Sequence, residues 1–443
     1  MKMTIKTSRS ILTVFGTAML FGACDLLEVD NPNALVQEDI EKVEAASAAV
    51  NGAQALTASG IGGIYAPFST VGDEITWIGS RDAWNELDQG TPDNPGNEFA
   101  DGAFPGIAQA RWMTQFAVQL LEGHVAENAG NSALQSDLAR ANLYAGVAYA
   151  AIAQMFDDFA FSDRTEPGPL IGPDNMATVF DQAIAFFSTA MAGGGETAMR
   201  AQAARAQAYH QRAIWGLLNP PGSTPGNPLI NDANANSDAA AVLGSVAGTD
   251  WAYRFGYSGA TVSNNLSWQV NQRGELQIGP EYATQSESDP TDITGHNLMD
   301  PIEGALDTRY MARVSEFLGG EGYSPLTVVS ERGLRLMLAE SALAGGDMGA
   351  FTDHINMIRE GLDGLTAYSG QIPGIDMLQH ERRVNLFLQY KRLQDHYRFG
   401  STSMNWLAGS PAASRPGTML PITRIEILAN CHHPDNALHP CSN

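Results

Sequence analysis

The chain has 443 residues, of which 44% are hydrophobic and 17% charged. That is ample material for a core, and it excludes wholesale disorder. Acidic residues outnumber basic ones 49 to 25, a balance that repels phosphate and excludes nucleic acid as a partner unless a clustered basic face exists, and none is visible. The length fits two or three average domains or one continuous helical solenoid.

Lys2, Lys6 and Arg9 precede an apolar run from Ile11 to Phe21, followed by Gly22-Ala23-Cys24. A basic segment, a short apolar segment and small residues before a cleavage point predict a secretory leader over residues 1–23. The run of 11 residues is well short of the roughly 18 that span a bilayer. Losing the leader leaves 22 basic against 49 acidic residues, a net charge of −27. A cysteine at this point resembles the lipobox of bacterial lipoproteins, which implies lipidation of Cys24 and an acidic tether over residues 24–36. An ordinary leader with an incidental cysteine is the alternative.

Helical spacing begins at Gln37 and runs to Thr57 through Ile40, Val43, Ala46, Val50 and Ala53, with a predicted break at Gly60, Gly62 and Gly63. Residues 72–105 read as non-helical and hold Trp77, Arg81, Trp84 and Asn85. The clearest helix is predicted from Ser132 to Phe159, where Leu134, Leu138, Ala141, Ala145, Ala148, Ile152, Met155 and Phe159 share one face. Its many alanines suit close helix-to-helix approach. Amphipathic segments follow at Ala177 to Met191 and Ala198 to Leu218, ended by a glycine triplet and by Pro220-Pro221.

Residues 220–301 change texture: Gly, Asn, Asp, Ser and Thr dominate, with Trp251, Tyr253, Phe255, Tyr257 and Trp268 among them. This predicts loops with short strands, where binding sites tend to lie. From Val328 to Arg359 two amphipathic helices flank Gly345-Gly346-Asp347, a pattern that resembles a tetratricopeptide unit, although no clean repeat period runs along the chain. A last long helix is predicted over about Ile375 to Tyr397.

The stretch along and just beyond that helix reads Glu381-Arg382-Arg383, then Gln389-Tyr390-Lys391-Arg392-Leu393 and Asp395, then Arg398-Phe399-Gly400. The segment resembles the C-terminal signature of the SusD/RagB-like outer-membrane lipoproteins, roughly Glu-Arg-Arg, Glu-Gly-Lys-Arg-Trp, Asp and Arg-Trp-Gly. The lipobox with Leu26-Leu27-Glu28-Val29, the Asp307-Thr308-Arg309 step, the tetratricopeptide-like hairpin, and Leu420-Pro421-Ile422 with Ile427 to Asn430 resemble further elements of that family, in the same order. Asn385, Gln389, Leu393 and Thr423 depart from its pattern.

The resemblance implies a mainly α fold: a right-handed superhelical array of tetratricopeptide-like hairpins with long irregular insertions and a few short strands, forming one binding domain over residues 37–443. It also implies a surface-exposed lipoprotein that captures oligosaccharides or peptides and passes them to a SusC-like TonB-dependent transporter of the outer membrane. Arg382 lies on the helix's apolar stripe with Ile375, Leu378, Leu386 and Leu393, so its guanidinium must find carboxylates or carbonyls. Either it pins the helix, the favoured reading, or it forms an anion site.

No enzymatic constellation stands out: the sequence holds no His-Glu-x-x-His, Walker loop or Gly-x-Ser-x-Gly. Gly60-Ile61-Gly62-Gly63 is only a fragment of a dinucleotide loop, and Asp73-Glu74 and Asp157-Asp158 are adjacent carboxylates that sequence alone does not place at glycosidase separation. No catalytic residue, metal or cofactor is expected. A sugar binder needs aromatic faces with a few planar polar groups, and Trp77, Trp84, Trp251, Tyr253, Tyr257 and Trp268 could supply the first, Arg81, Asn85 and Asn265 the second. A surface glycan hydrolase and a purely structural surface lipoprotein are the competing readings. Near the C-terminus, Cys431 and Cys441 flank His432, His433 and His439. A disulfide there would contribute about 3 kcal/mol, and a Cys/His metal site is the alternative.

Overall fold

A computed structural model describes residues 37–163, 166–286 and 293–436. Cys24, the leader, the tether and Cys441 lie outside the described residues. Two compact units separate at Ala45/Ala46. The described part of the first holds only the helical turn Gln37–Ile40 and the 3-10 turn Val43–Ala45. No helix among the described residues is long and apolar enough to cross a membrane.

The second unit is mainly helical. It opens with α1 (Ala46–Val71), β1 (Ile75–Trp77), α2 (Asp82–Asp88), α3 (Glu98–Glu127) and α4 (Ser132–Met155). The expected break at Gly60 to Gly63 does not occur: α1 runs straight through these glycines. A Cβ on Gly60 would sit 2.7 Å from the Gly106 carbonyl oxygen, so the missing side chain lets α1 and α3 cross at backbone contact. The region 72–105 is likewise more helical than its composition suggests, because Asn97 caps α3 by accepting from the Phe99 and Ala100 amides.

Next come α5 (Ala177–Ala190), α6 (Gly195–Leu218) and α7 (Ala233–Val246). From α3 to α7 each helix packs on its successor. Residues 220–301 contain α7 and also α8 (Asn265–Asn271), with β2 (Ala252–Phe255), β3 (Leu276–Ile278), β4 (Ala283–Gln285) and β5 (Ile293–His296). Then follow α9 (Thr308–Gly319), β6 (Leu326–Ser330), α10 (Glu331–Ala344) and α11 (Met348–Arg359). The strands form three antiparallel pairs: β1 with β3, β2 with β6, and β4 with β5.

The Asp307-Thr308-Arg309 step is an N-cap, with Asp307 accepting from the Arg309 and Tyr310 amides at 3.0 Å. The hairpin of α10 and α11 turns as its residues predict, with Gly346 at φ 76° and Asp347 capping α11. These two helices and the next enclose a second apolar cluster around Leu336, Phe351, Ile355, Ile358 and Leu378.

The predicted long C-terminal helix is two: α12 (Gly374–Asn385) and α13 (Arg392–Phe399). Between them Leu388 and Tyr390 take left-handed φ values of 53° and 50°. Side chains from the start of the chain replace the helical hydrogen bonds there. The Glu74 carboxylate accepts from the Leu388 amide at 2.6 Å and the Tyr65 hydroxyl oxygen from the Tyr390 amide at 2.5 Å.

Candidate functional site

The α1/α3 crossing does more than pack. Beside it opens a groove of about 310 Å³, near the lower end of the range for small-molecule sites. Its floor is Gly60, Gly63, Gly102, Ala103 and Gly106, and Phe99, Glu98, Ser59, Ser263 and Asn265 stand around it. Small residues on both helices leave backbone close to the surface, so a flat ligand could lie on the crossing with polar groups at its rim. Trp84 forms the base, stacked on Phe99 with centroids 3.8 Å apart. Its indole Nε1 is buried without a hydrogen-bond partner.

The candidate residues fall into four sets, and Trp84 belongs to two of them. Trp84 and Asn265 share the groove, and Arg81, exposed beside it in sequence, pairs with the groove residue Glu98. Trp84, Tyr253 and Tyr257 are core residues at 0%, 2% and 9% exposure, so they offer no free face for a sugar to stack on. The Tyr257 hydroxyl donates to the Ala58 carbonyl at 2.9 Å, and Arg200 lies over the Tyr253 ring. Trp77 and Trp251 are partly buried against the same core, and Asn85 is half-buried on α2. Trp268 alone of the six aromatics is exposed, with Arg273 over its ring at 5.3 Å. Neither Trp251 nor Trp268 lines the groove. Phe99, Gly102 and Gly106 went unread in the sequence and Gly60 and Gly63 read as a break, although Gly60-x-x-Gly63 and Gly102-x-x-x-Gly106 are a legible signal of one side-chain-free helix face.

The arginines of the C-terminal signature turn inward. Arg382 binds Asp395 at 2.9 and 3.0 Å, and Arg398 binds Asp395 at 2.9 Å and Glu340 at 3.1 Å. Glu340 is fully buried and also meets His210 at 3.2 Å and the Ile230 amide at 2.9 Å. Burial alone would raise its pKa, yet Arg398, His210 and Arg382 hold it well below the ordinary carboxylate range. This network bridges α6, α10, α12 and α13. It fits the pinned-helix reading of Arg382, since every charge has an internal partner.

Asp300, Asp307 and His380 place ligand atoms within 4.8 Å of one another, the one group among the described residues with a metal-like donor set. Arg359 already binds Asp300 at 2.7 Å and Glu381 at 2.8 Å. Burial lowers the His380 pKa, but hydrogen bonds to Asp300 and Asp307 prevail and hold it at about 9. A protonated imidazole there supplies the positive charge a cation would bring. Cys431 is disulfide-bonded.

Solved structures share this arrangement of a helical scaffold with paired short strands. A SusD superfamily protein from Bacteroides thetaiotaomicron superposes with a TM-score of 0.62 at 14% identity, covering 88% of this chain and 98% of its own. One from Bacteroides vulgatus gives 0.60 at 14% identity over 90% and 100%. A SusD-like carbohydrate binding protein from Bacteroides vulgatus gives 0.56 at 12% identity over 91% and 99%. The chain therefore has the SusD fold over nearly its whole length, as the sequence resemblance implied. No family model matches its sequence, and no curated protein matches it.

Proposed function

We propose that this protein is a nutrient-binding lipoprotein of the outer-membrane surface, which captures oligosaccharides and passes them to a SusC-like TonB-dependent transporter. The observation that carries this reading is the SusD fold, shared along the full length of proteins one of which is described as carbohydrate-binding. The groove on the α1/α3 crossing supports it: an open concavity with a glycine floor and amide, hydroxyl and carboxylate groups at its edge suits a neutral sugar chain. Asn265 and Glu98 fix hydroxyls, Phe99 and the small residues meet apolar ring faces, and Trp268 offers a separate stacking face. Lipidation of Cys24 anchors the chain, and a Cys431–Cys441 disulfide closes its C-terminal loop.

Glycan-array binding of the mature protein, followed by a chromatographic check for cleavage, tests the reading. Binding without turnover is the expected result, with a loss of about tenfold or more in a Gly102→Phe variant, whose ring would occupy the groove. Release of shortened products would establish a hydrolase instead. Binding unchanged in Gly102→Phe would remove the groove. Palmitate incorporation that is absent from the wild type, or that survives in Cys24→Ala, would remove the anchor.

A further inference from the structure

A second cavity, of about 190 Å³, lies between β2, α9, β6 and the turn after α12. Four arginines line it: Arg254, Arg309, Arg313 and Arg332. In a chain with nearly twice as many acidic as basic residues, such convergence of guanidinium groups on one concavity needs an account.

Three of the four are matched. Arg254 pairs with Glu316 at 2.8 Å, Arg309 with Asp363 at 2.6 Å, and Arg332 with both Asp250 and Asp363 at 2.6 Å. Arg313 has no carboxylate partner. It donates to the Val384 carbonyl at 2.7 Å and to Asn385 Oδ1 at 2.9 Å, bonds that hold it against the end of α12, while Asp363, Asp250 and Asp307 act on its charge from beyond ion-pair distance. Four guanidinium groups thus share three ion-paired carboxylates, and the one outside those pairs is a partly buried arginine at the cavity wall. The remaining lining is apolar in part, with Ala252, Phe317 and Pro325. A charged wall facing an apolar one fits a small ring that carries a carboxylate, which a planar guanidinium holds in bidentate fashion. The volume is below that of a site for a whole oligosaccharide, so it takes one terminal unit.

We propose that this pocket is an acidic-sugar subsite that receives the carboxylate of a single hexuronate residue on Arg313. The inference rests on the glycan-capture reading and names its substrate class: glycans that carry uronic acids. The matched arginines keep the neighbouring carboxylates from repelling the ligand, and Arg313 supplies the positive charge outside the ion pairs. A structural arginine that only ends α12 accounts for the two carbonyl bonds and not for a guanidinium outside the ion pairs in an open cavity.

Calorimetric titration of the mature protein with galacturonate, glucuronate and alginate oligosaccharides, each beside its methyl-esterified form, tests this. The free acid of at least one series should bind about tenfold or more tightly than its ester, as loss of a charge-assisted hydrogen bond implies. Arg313→Gln should abolish that difference and leave the ester unchanged. Glu316→Gln, at the exposed rim and paired only with Arg254, should strengthen binding of the acid. If Arg313→Gln does not fold, Arg254→Gln and Glu316→Gln carry the same comparison with opposite signs. Equal binding of acid and ester, or a preference that survives all three substitutions, would overturn the subsite and leave glycan capture standing. Binding of peptides with a free C-terminal carboxylate and of no glycan would overturn both.

Discussion

The buried carboxylate of Glu340 gives the sharpest test of what holds the C-terminal region in place. In Glu340→Gln the shape is kept and one negative charge is lost, so Arg398 and Arg382 together retain only Asp395. Breaking a buried pair of this kind costs about 3–5 kcal/mol. Arg382→Met is milder, because Asp395 keeps Arg398, and Glu340 keeps Arg398, His210 and the Ile230 amide; the loss is that of charge-assisted hydrogen bonds, about 1.5–3 kcal/mol. An unfolding entropy of about 2.1 cal/mol/K per residue over roughly 390 residues gives ~0.8 kcal/mol/K. The melting temperature should then fall by about 4–6 °C in Glu340→Gln and about 2–4 °C in Arg382→Met. Scanning calorimetry at neutral pH and fixed scan rate measures both, and glycan affinity of the folded variants should be unchanged. The reverse order, or intact stability with lost binding in Arg382→Met, would refute the structural role and turn the network into a ligand site.

Two other outcomes are accessible by the same method. Gly60→Ala should destabilise by about 1–3 kcal/mol through overpacking against the Gly106 carbonyl, whereas Gly102→Ala, whose Cβ would meet nothing within 4 Å, should gain about 0.5–1 kcal/mol of helix stability. Equal effects of the two would show that the crossing is not in backbone contact. His380 titrates at about 9 in the folded chain against roughly 6.5 when unfolded. Because the folded value is the higher, its stabilisation, about 3 kcal/mol, is complete below pH ~6.5 and is lost as pH rises through ~9. His380→Gln should lower stability at pH 6 and flatten the profile between pH 6 and 9; parallel profiles for wild type and variant would contradict the assignment.

The sequence carried the helical class and most helix positions because local signals set them. Asp307 and Asp347 are caps with their own amide partners within three residues, and the Ala-rich face of α4 repeats at helical spacing. It misled where the deciding partner is remote. A packing glycine and a turn glycine look alike until the second helix is known, so Gly60 to Gly63 read as a break. The interruption of the C-terminal helix depends on Tyr65 and Glu74, more than 300 residues away in the chain. Trp84, Tyr253 and Tyr257 sit in polar, glycine-rich stretches, which suggested loops and exposure, but their rings close over the core. The arginine pocket was invisible for a similar reason: its four guanidinium groups come from β2, α9 and α10, and only their convergence distinguishes them from ordinary surface charges.

The charge distribution also fixes how an acidic ligand must arrive. At a formal net charge of −24 the chain as a whole repels a polyuronate, while the pocket attracts it only at short range. Salt separates these effects, because the screening length falls from about 30 Å at 0.01 M to about 10 Å at 0.1 M, which weakens the distant repulsion before it reaches a contact of hydrogen-bond length. The association rate of a hexuronate oligosaccharide should therefore rise with ionic strength over this range, opposite in sign to the behaviour of a basic capture surface. Its dissociation rate should change little, since the guanidinium bond lies within either screening length. Stopped-flow measurement across that range gives both rates, and an association rate that falls with salt would mean that the ligand meets a positive field before it reaches Arg313, which the sequence and the pocket do not provide.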